Sequence, residues 1–227
     1  MSKLDIKDVI GWDVINWSKA LKYWENKVDL KNKEYNCLEL GARSGGLSLW
    51  LACQGNNVIC SDLYSPKETA KQIHNKYSIS HRITYSSLNA TEINCKNEYD
   101  IVAFKSILGG INNSDNENLK EKVVSEIYQS LKPSGKLLFI ENLEATGFHR
   151  FMRNRFVKWS GGWNYLKFSE IEPLFKDFKK VNYYTVGFFG TFGRNEIQRE
   201  YLGKIDNILG IIIPKKYRYV VFGIAEK

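Results

Sequence analysis

The chain has few of the residues that build covalent or metal frameworks: its 227 residues include four cysteines, three histidines and four prolines. Cys37, Cys53, Cys60 and Cys95 form no C-x-x-C pair and fall on or beside apolar stretches. That spacing excludes a disulfide framework and a zinc knuckle, and the thiols read as buried and free. No metal site is expected. Long apolar runs are missing as well: Ile208 to Ile213 is far short of the roughly 20 residues needed to cross a bilayer, and the first residues hold no apolar secretory core. A cytoplasmic chain without a membrane span is expected. There is no internal repeat or low-complexity linker, and a composition 43% hydrophobic and 14% aromatic can fill one core, so residues 1–227 are expected to form a single domain. Acid is scarce only in the C-terminal third. Residues 1–150 hold 19 Lys/Arg against 18 Asp/Glu, whereas residues 151–227 hold 14 against 7.

The most informative segment is Tyr35 to Leu49, which contains the string LELGARSGGL. Cys37, Leu38 and Leu40 read as a buried strand, Gly41 as a tight turn that lets backbone approach a ligand, and Leu47 and Leu51 as the start of a helical face. A nucleotide-like cofactor is expected there. A dinucleotide would require G-x-G-x-x-G, but Arg43 stands at the second glycine, where its side chain fills the phosphate space. Glu39, an acid in an otherwise apolar strand, suits a cationic ligand instead. The next strand ends at Asp62, 21 residues after Gly41, where a carboxylate can accept both hydroxyls of a ribose.

With Glu39, Gly41 and Gly45 in place, the chain resembles the class I S-adenosylmethionine-dependent methyltransferases, whose first motif is E/D-x-G-x-G-x-G; Arg43 departs at the middle glycine. The segment LKPSGKLLFIE, residues 131–141, adds to the resemblance, which covers residues 35–145 well and the rest in outline. It implies a Rossmann-like α/β fold with a doubly wound, seven-stranded, mostly parallel sheet, and S-adenosyl-L-methionine as cofactor. Carried over position by position, it implies a cofactor site of Glu39, Gly41, Ala42, Arg43, Gly45, Asp62, Leu63, Asn89, Ala90 and Lys105, with Asn89 facing the adenine amino group.

Periodicity supplies the frame around this site. Val14, Trp17, Leu21, Trp24 and Val28 predict an N-terminal helix within a cap of residues 1–34, its aromatic face in the core or against the ligand. Helices are also expected over 66–77, 118–131 and 169–178, the last opened by a Ser169/Glu172 capping box, with strands at 83–89, 99–106, 180–189 and 218–225. Residues 35–145 then form the cofactor half and residues 146–227 the acceptor half. An insertion at 190–216, with Ile197, Tyr201, Ile205 and Leu209 on one helical side, closes over the acceptor or forms a homodimer contact.

The acceptor side is basic and aromatic. Arg150, Arg153, Arg155 and Lys158 interleave with Phe148, Phe151, Phe156 and Trp159, a pattern that suits an anionic acceptor or, more plainly, an amphipathic helix. His149 is the expected general base, with Glu141 as second catalytic candidate, and Asn142, Arg153, Trp163 and Tyr165 as acceptor contacts. The sequence lacks an Asn/Asp-Pro-Pro-Tyr signature after the fourth strand, which disfavours methylation of base amino groups. Transfer to an oxygen of a small-molecule or glycan-type acceptor is expected. An RNA substrate is second, given the pI near 9.1, and a non-catalytic cofactor-binding regulator third.

Overall fold

The computed structural model describes residues 4–111, 118–156 and 163–227. Its helices are α1 (Ile6–Ile10), α2 (Val14–Trp17), α3 (Lys19–Lys27), α4 (Gly46–Cys53), α5 (Lys67–Lys76), α6 (Leu119–Ser130), α7 (Gly147–Phe156), α8 (Ile171–Leu174) and α9 (Glu196–Leu209). The strands are β1 (Asn36–Leu40), β2 (Asn57–Asp62), β3 (Ile83–Ser87), β4 (Tyr99–Lys105), β5 (Leu131–Asn142), β6 (Lys180–Val186) and β7 (Val220–Glu226). All seven strands join one sheet in the order β3-β2-β1-β4-β5-β7-β6. The first five strands in that order run parallel, and β7 is antiparallel to both β5 and β6.

Side chains alternate across the central strands, so each strand supplies both faces of the core. Cys37, Ile101 and Ala103 pack with Trp17, Trp24 and Trp50 under the N-terminal helices and α4. Leu38, Val102 and Phe104 pack with Val123, Ile127, Ile171 and Phe175 under α6 and α8. Burying each large side chain contributes about 1.5–3 kcal/mol, and Trp24 also donates its indole N–H to the Gly223 carbonyl at 2.9 Å. No helix of the described residues is long and apolar enough to cross a membrane.

Several local expectations are corrected. The helix expected from Val14 to Val28 divides at Ser18 into α2 and α3, and Trp17 and Trp24 are fully buried in the core. Ser169 and Glu172 form no capping box: Glu170 closes back on the Lys167 amide at 2.9 Å, while Glu172 accepts from the Tyr183 hydroxyl. In the insertion helix α9 the side that carries Ile197, Tyr201 and Ile205 stays exposed, which does not separate closure over the acceptor from a homodimer contact. Gly203 and Asp206 are buried against α2, leaving Ile197 and Tyr201 about two-thirds exposed. The reason is steric, since a Cβ at Gly203 would lie 2.8 Å from Ile15, so only a glycine allows the two helices to come so close.

Candidate functional site

Strand order reverses between β1 and β4, and in an open parallel sheet the crevice beyond the strand ends at such a point is where ligands bind. The loop from β1 to α4 forms one side of it. Glu39 is 2% exposed and accepts from the Leu47 and Ser48 amides and the Ser48 hydroxyl, at 3.2, 2.7 and 2.5 Å. It thereby satisfies amides at the N-terminus of α4 and fixes the glycine loop. Burial pushes its pKa up to about 7, against the pull of the Ser48 hydrogen bonds and the Lys105 charge. Glu39 therefore orders the loop and does not line the cleft, which corrects its expected place among the residues that touch the cofactor.

Gly45 has φ +72° and sits on the His74 ring, where a Cβ would lie 2.6 Å from Nε2. His74 is itself locked between the Gly45 carbonyl and the Tyr85 hydroxyl. Arg43 adopts φ +51°, the left-handed conformation that a glycine would take more easily. Three contacts hold it there: its amide donates to Asp62 at 2.8 Å, its carbonyl accepts from Thr69, and the Ala42 amide next to it donates to the Ser61 carbonyl. The departure from the glycine motif thus leaves the turn intact and adds a guanidinium to its rim.

A cleft of about 890 Å³ opens over this loop. Gly41, Ala42, Arg43, Asp62, Leu63, Asn89, Ala90 and Lys105 line it, together with Ile107 and Ile111. The chemistry of this set fits S-adenosylmethionine. Asp62 offers carboxylate oxygens for a ribose, Asn89 an amide, and the 58% exposed Leu63 an apolar plate with nothing else to cover it. Lys105 donates to the Ile10 carbonyl at 2.6 Å, and burial lowers its pKa while the Glu39 charge works against that shift.

A second cavity of about 840 Å³ adjoins the first and shares Trp12, Arg43, Ser44, Lys105 and Asn142 with it. Arg153 and Tyr165, named above as acceptor contacts, line it, the guanidinium 4.1 Å above the tyrosine ring and bonded to the Leu143 carbonyl. Asn142 lines both cavities and donates to the Ser106 hydroxyl at 2.8 Å. Trp163 belongs to the cofactor side, packed on Gly109 and Gly110 where any Cβ would strike its indole. Lys158 and Trp159 of the basic, aromatic segment lie outside the described residues.

Both expected catalytic groups are corrected. His149 is fully buried, with Nδ1 bonded to Thr146 Oγ1 at 2.7 Å and Nε2 to the Phe188 carbonyl at 2.9 Å. Burial among Phe188, Phe192 and Tyr219 pushes its pKa down to about 4, and it does not reach either cavity. Glu141 is also fully buried. Its two oxygens accept from the Leu108 and Asn142 amides, and burial raises its pKa to about 7. Both are fasteners of the walls.

Sequence reasoning missed Trp12, which sits outside the apolar stripe that begins at Val14. Arg194, Arg199 and Phe192 were inside the expected acceptor segments without being singled out, whereas Phe156 was named with the basic, aromatic segment. The 188–190 backbone is held by Asp206, which accepts from the Phe188, Phe189 and Gly190 amides and from the Asn16 side chain. Glu196 in turn accepts from the Asp13 and Val14 amides, tying the Trp12 segment to α9.

The sheet order and the cleft at its reversal point define a Rossmann-like methyltransferase fold. Residues 38–139 match the methyltransferase domain family. Among solved structures, a provisionally assigned sarcosine dimethylglycine methyltransferase from Galdieria sulphuraria aligns at TM-score 0.63 and 16% identity, over 93% of this chain and 85% of that one. Phosphoethanolamine N-methyltransferase 2 from Haemonchus contortus, solved with S-adenosyl-L-methionine, aligns at 0.61 and 18%, over 93% of this chain and 52% of that one. An O-methyltransferase family protein from Burkholderia thailandensis aligns at 0.64 and 11%, over 94% and 57%. No curated protein sequence matches the chain. Over residues 38–139 the chain is similar to the methyltransferase domain family, and over nearly its whole length it shares the fold of S-adenosylmethionine-dependent methyltransferases.

Proposed function

We propose that the protein transfers the methyl group of S-adenosylmethionine to an oxygen of a small-molecule or glycan-type, anionic acceptor. The observation that carries this reading is the pair of adjoining cavities with a shared wall of Trp12, Arg43, Ser44, Lys105 and Asn142. When bound, the cofactor supplies an electrophilic methyl group on a sulfonium sulfur. Asp62 and Asn89 would hold its nucleoside, with Leu63 and Ala90 against the base and the Gly41–Gly45 backbone under its amino-acid part. Asn142, fixed by Ser106 and by the buried Glu141 behind it, stands where both cavities meet and can orient the acceptor. Orientation of the reacting atoms supplies much of the acceleration in such a displacement.

Calorimetry with S-adenosylmethionine, S-adenosylhomocysteine and NAD tests the cofactor side: heat is expected with the first two and none with the third. Incubation of methyl-labelled cofactor with a low-mass cell extract then tests the acceptor side. An increase of one methyl group in an oxygen-bearing metabolite supports the reading, and label confined to macromolecules sinks it. RNA is the second reading because the C-terminal third is basic. It would show as binding that weakens steeply with salt. The volume of the second cavity, about 840 Å³, is of the size that takes a small molecule.

A further inference from the structure

We infer that the acceptor atom is a carboxylate oxygen already ionised when it enters the pocket, so that the product is a methyl ester. This rests on the methyl-transfer reading above and narrows its acceptor to one chemical class.

The acceptor cavity is lined by Arg43, Lys105, Arg153, Arg194 and Arg199, and among the described residues by no aspartate, glutamate or histidine. The acids and the histidine behind its walls have their acceptor atoms committed. Glu196 takes the Asp13 and Val14 amides, Glu141 the Leu108 and Asn142 amides, Glu39 the Ser48 amide and hydroxyl, and His149 has both ring nitrogens bonded. Lys105 donates to the Ile10 carbonyl, and burial moves the Tyr165 hydroxyl away from ionisation. Among the described residues, no carboxylate or imidazole lines the cavity to take the proton of a neutral hydroxyl. An amine would enter as an ammonium among five cations, and like charges at this range repel.

A carboxylate meets neither obstacle. Its oxygen forms a bond to the methyl carbon while the methyl–sulfur bond breaks, and the electron pair of that bond stays on sulfur. One negative and one positive charge disappear together and no proton is released. Two guanidinium groups are available to hold the acid. Arg43 and Arg194 have no carboxylate partner among the described residues, and Arg194 stacks 5.6 Å from the centre of the Phe156 ring. Trp12, Phe156 and Phe192 give the walls an aromatic character, which suits an acid with an apolar or aromatic body.

The test uses the full chain with methyl-labelled S-adenosylmethionine, offered the low-mass fraction of a cell extract and a panel of aliphatic and aromatic carboxylic acids with their matched primary alcohols and amines. Label is expected in acids alone, and mild alkali should release it as volatile methanol. The rate should lack a falling limb between pH 8 and 6, because an acid of ordinary pKa stays ionised throughout. Arg194→Ala should raise KM for the labelled acid about tenfold, the loss of one charge-assisted hydrogen bond, with the calorimetric affinity for the cofactor unchanged. Alkali-stable label, label in the alcohols or amines, or cofactor heat without alkali-labile label from either pool overturns the inference and leaves methyl transfer standing. Absence of cofactor heat overturns both.

Discussion

Replacing Asp206 by asparagine tests whether the acceptor wall depends on one buried carboxylate. Asp206 is 3% exposed and accepts from Phe188, Phe189, Gly190 and Asn16 at 2.8–2.9 Å. The substituted amide would keep one oxygen for the Phe188 and Phe189 amides and turn an NH2 toward the Gly190 amide and the Asn16 side chain. The Gly190 amide loses its acceptor, whereas the Asn16 side chain keeps Asp13 and the Tyr219 hydroxyl, so Asp206→Asn should destabilise the fold by about 1–3 kcal/mol. That is a measurable share of the roughly 5–15 kcal/mol that holds a domain together. Urea unfolding followed by tryptophan fluorescence measures it, and at a temperature where the variant stays folded the acceptor KM should rise while cofactor affinity does not. A loss below about 1 kcal/mol, or an equal loss of cofactor binding, would refute the assignment of Asp206 to the acceptor wall.

Asp62→Ala should weaken S-adenosylmethionine binding at least about tenfold by calorimetry, since the ribose loses charged acceptors and the Arg43 amide loses its own. Burial raises the Asp13 pKa to about 7 from an unfolded value near 4, so between those pH values the folded chain holds a proton that the unfolded chain releases. Its contribution to stability is therefore full below about pH 4 and is lost as the pH rises to 7; Asp13→Asn should flatten that fall, measured as urea midpoints at pH 5 and 8. His149 runs the other way, held down at about 4 against an unfolded value near 6.5, so its contribution is full above 6.5 and is lost as the pH drops to 4. His149→Gln should remove this acid-side loss and leave the shape of the rate profile between pH 6 and 8 unchanged; a histidine-dependent limb there would restore it as base.

The strands and the glycine turn of the first part of the chain were legible because their signals are local. Gly41, Gly45 and Asp62 announce themselves by spacing, and the strand boundaries follow from apolar runs a few residues long. The acceptor half is assembled from distant segments, and its sequence signals point both ways. A histidine on a basic helix reads as a base until Phe188, 39 residues later, covers its Nε2. Ile197 and Tyr201 mark one side of a helix, but Gly203 and its contact with Ile15 decide which side packs. Trp12 carries no periodic signal, because the turn that places it depends on the Glu196 carboxylate reaching back across 183 residues. Glu141 stood out as an acid at a strand end, but only the Leu108 amide opposite it shows that the charge is taken up by backbone.

The joining of the Trp12 segment to α9 has a consequence for how the enzyme is made. Asp13 and Asn16 wait for Glu196, Asp206 and Tyr219, partners 183 to 206 residues further along the chain. A nascent chain leaving the ribosome can pair β1, β2, β3 and β4 and shape the nucleoside side of the cleft while its first turns still lack their anchor. The roof closes only after α9 and the strand that follows it have been translated. The cleft over the glycine loop can therefore take shape before the wall that Glu196 and Asp206 hold.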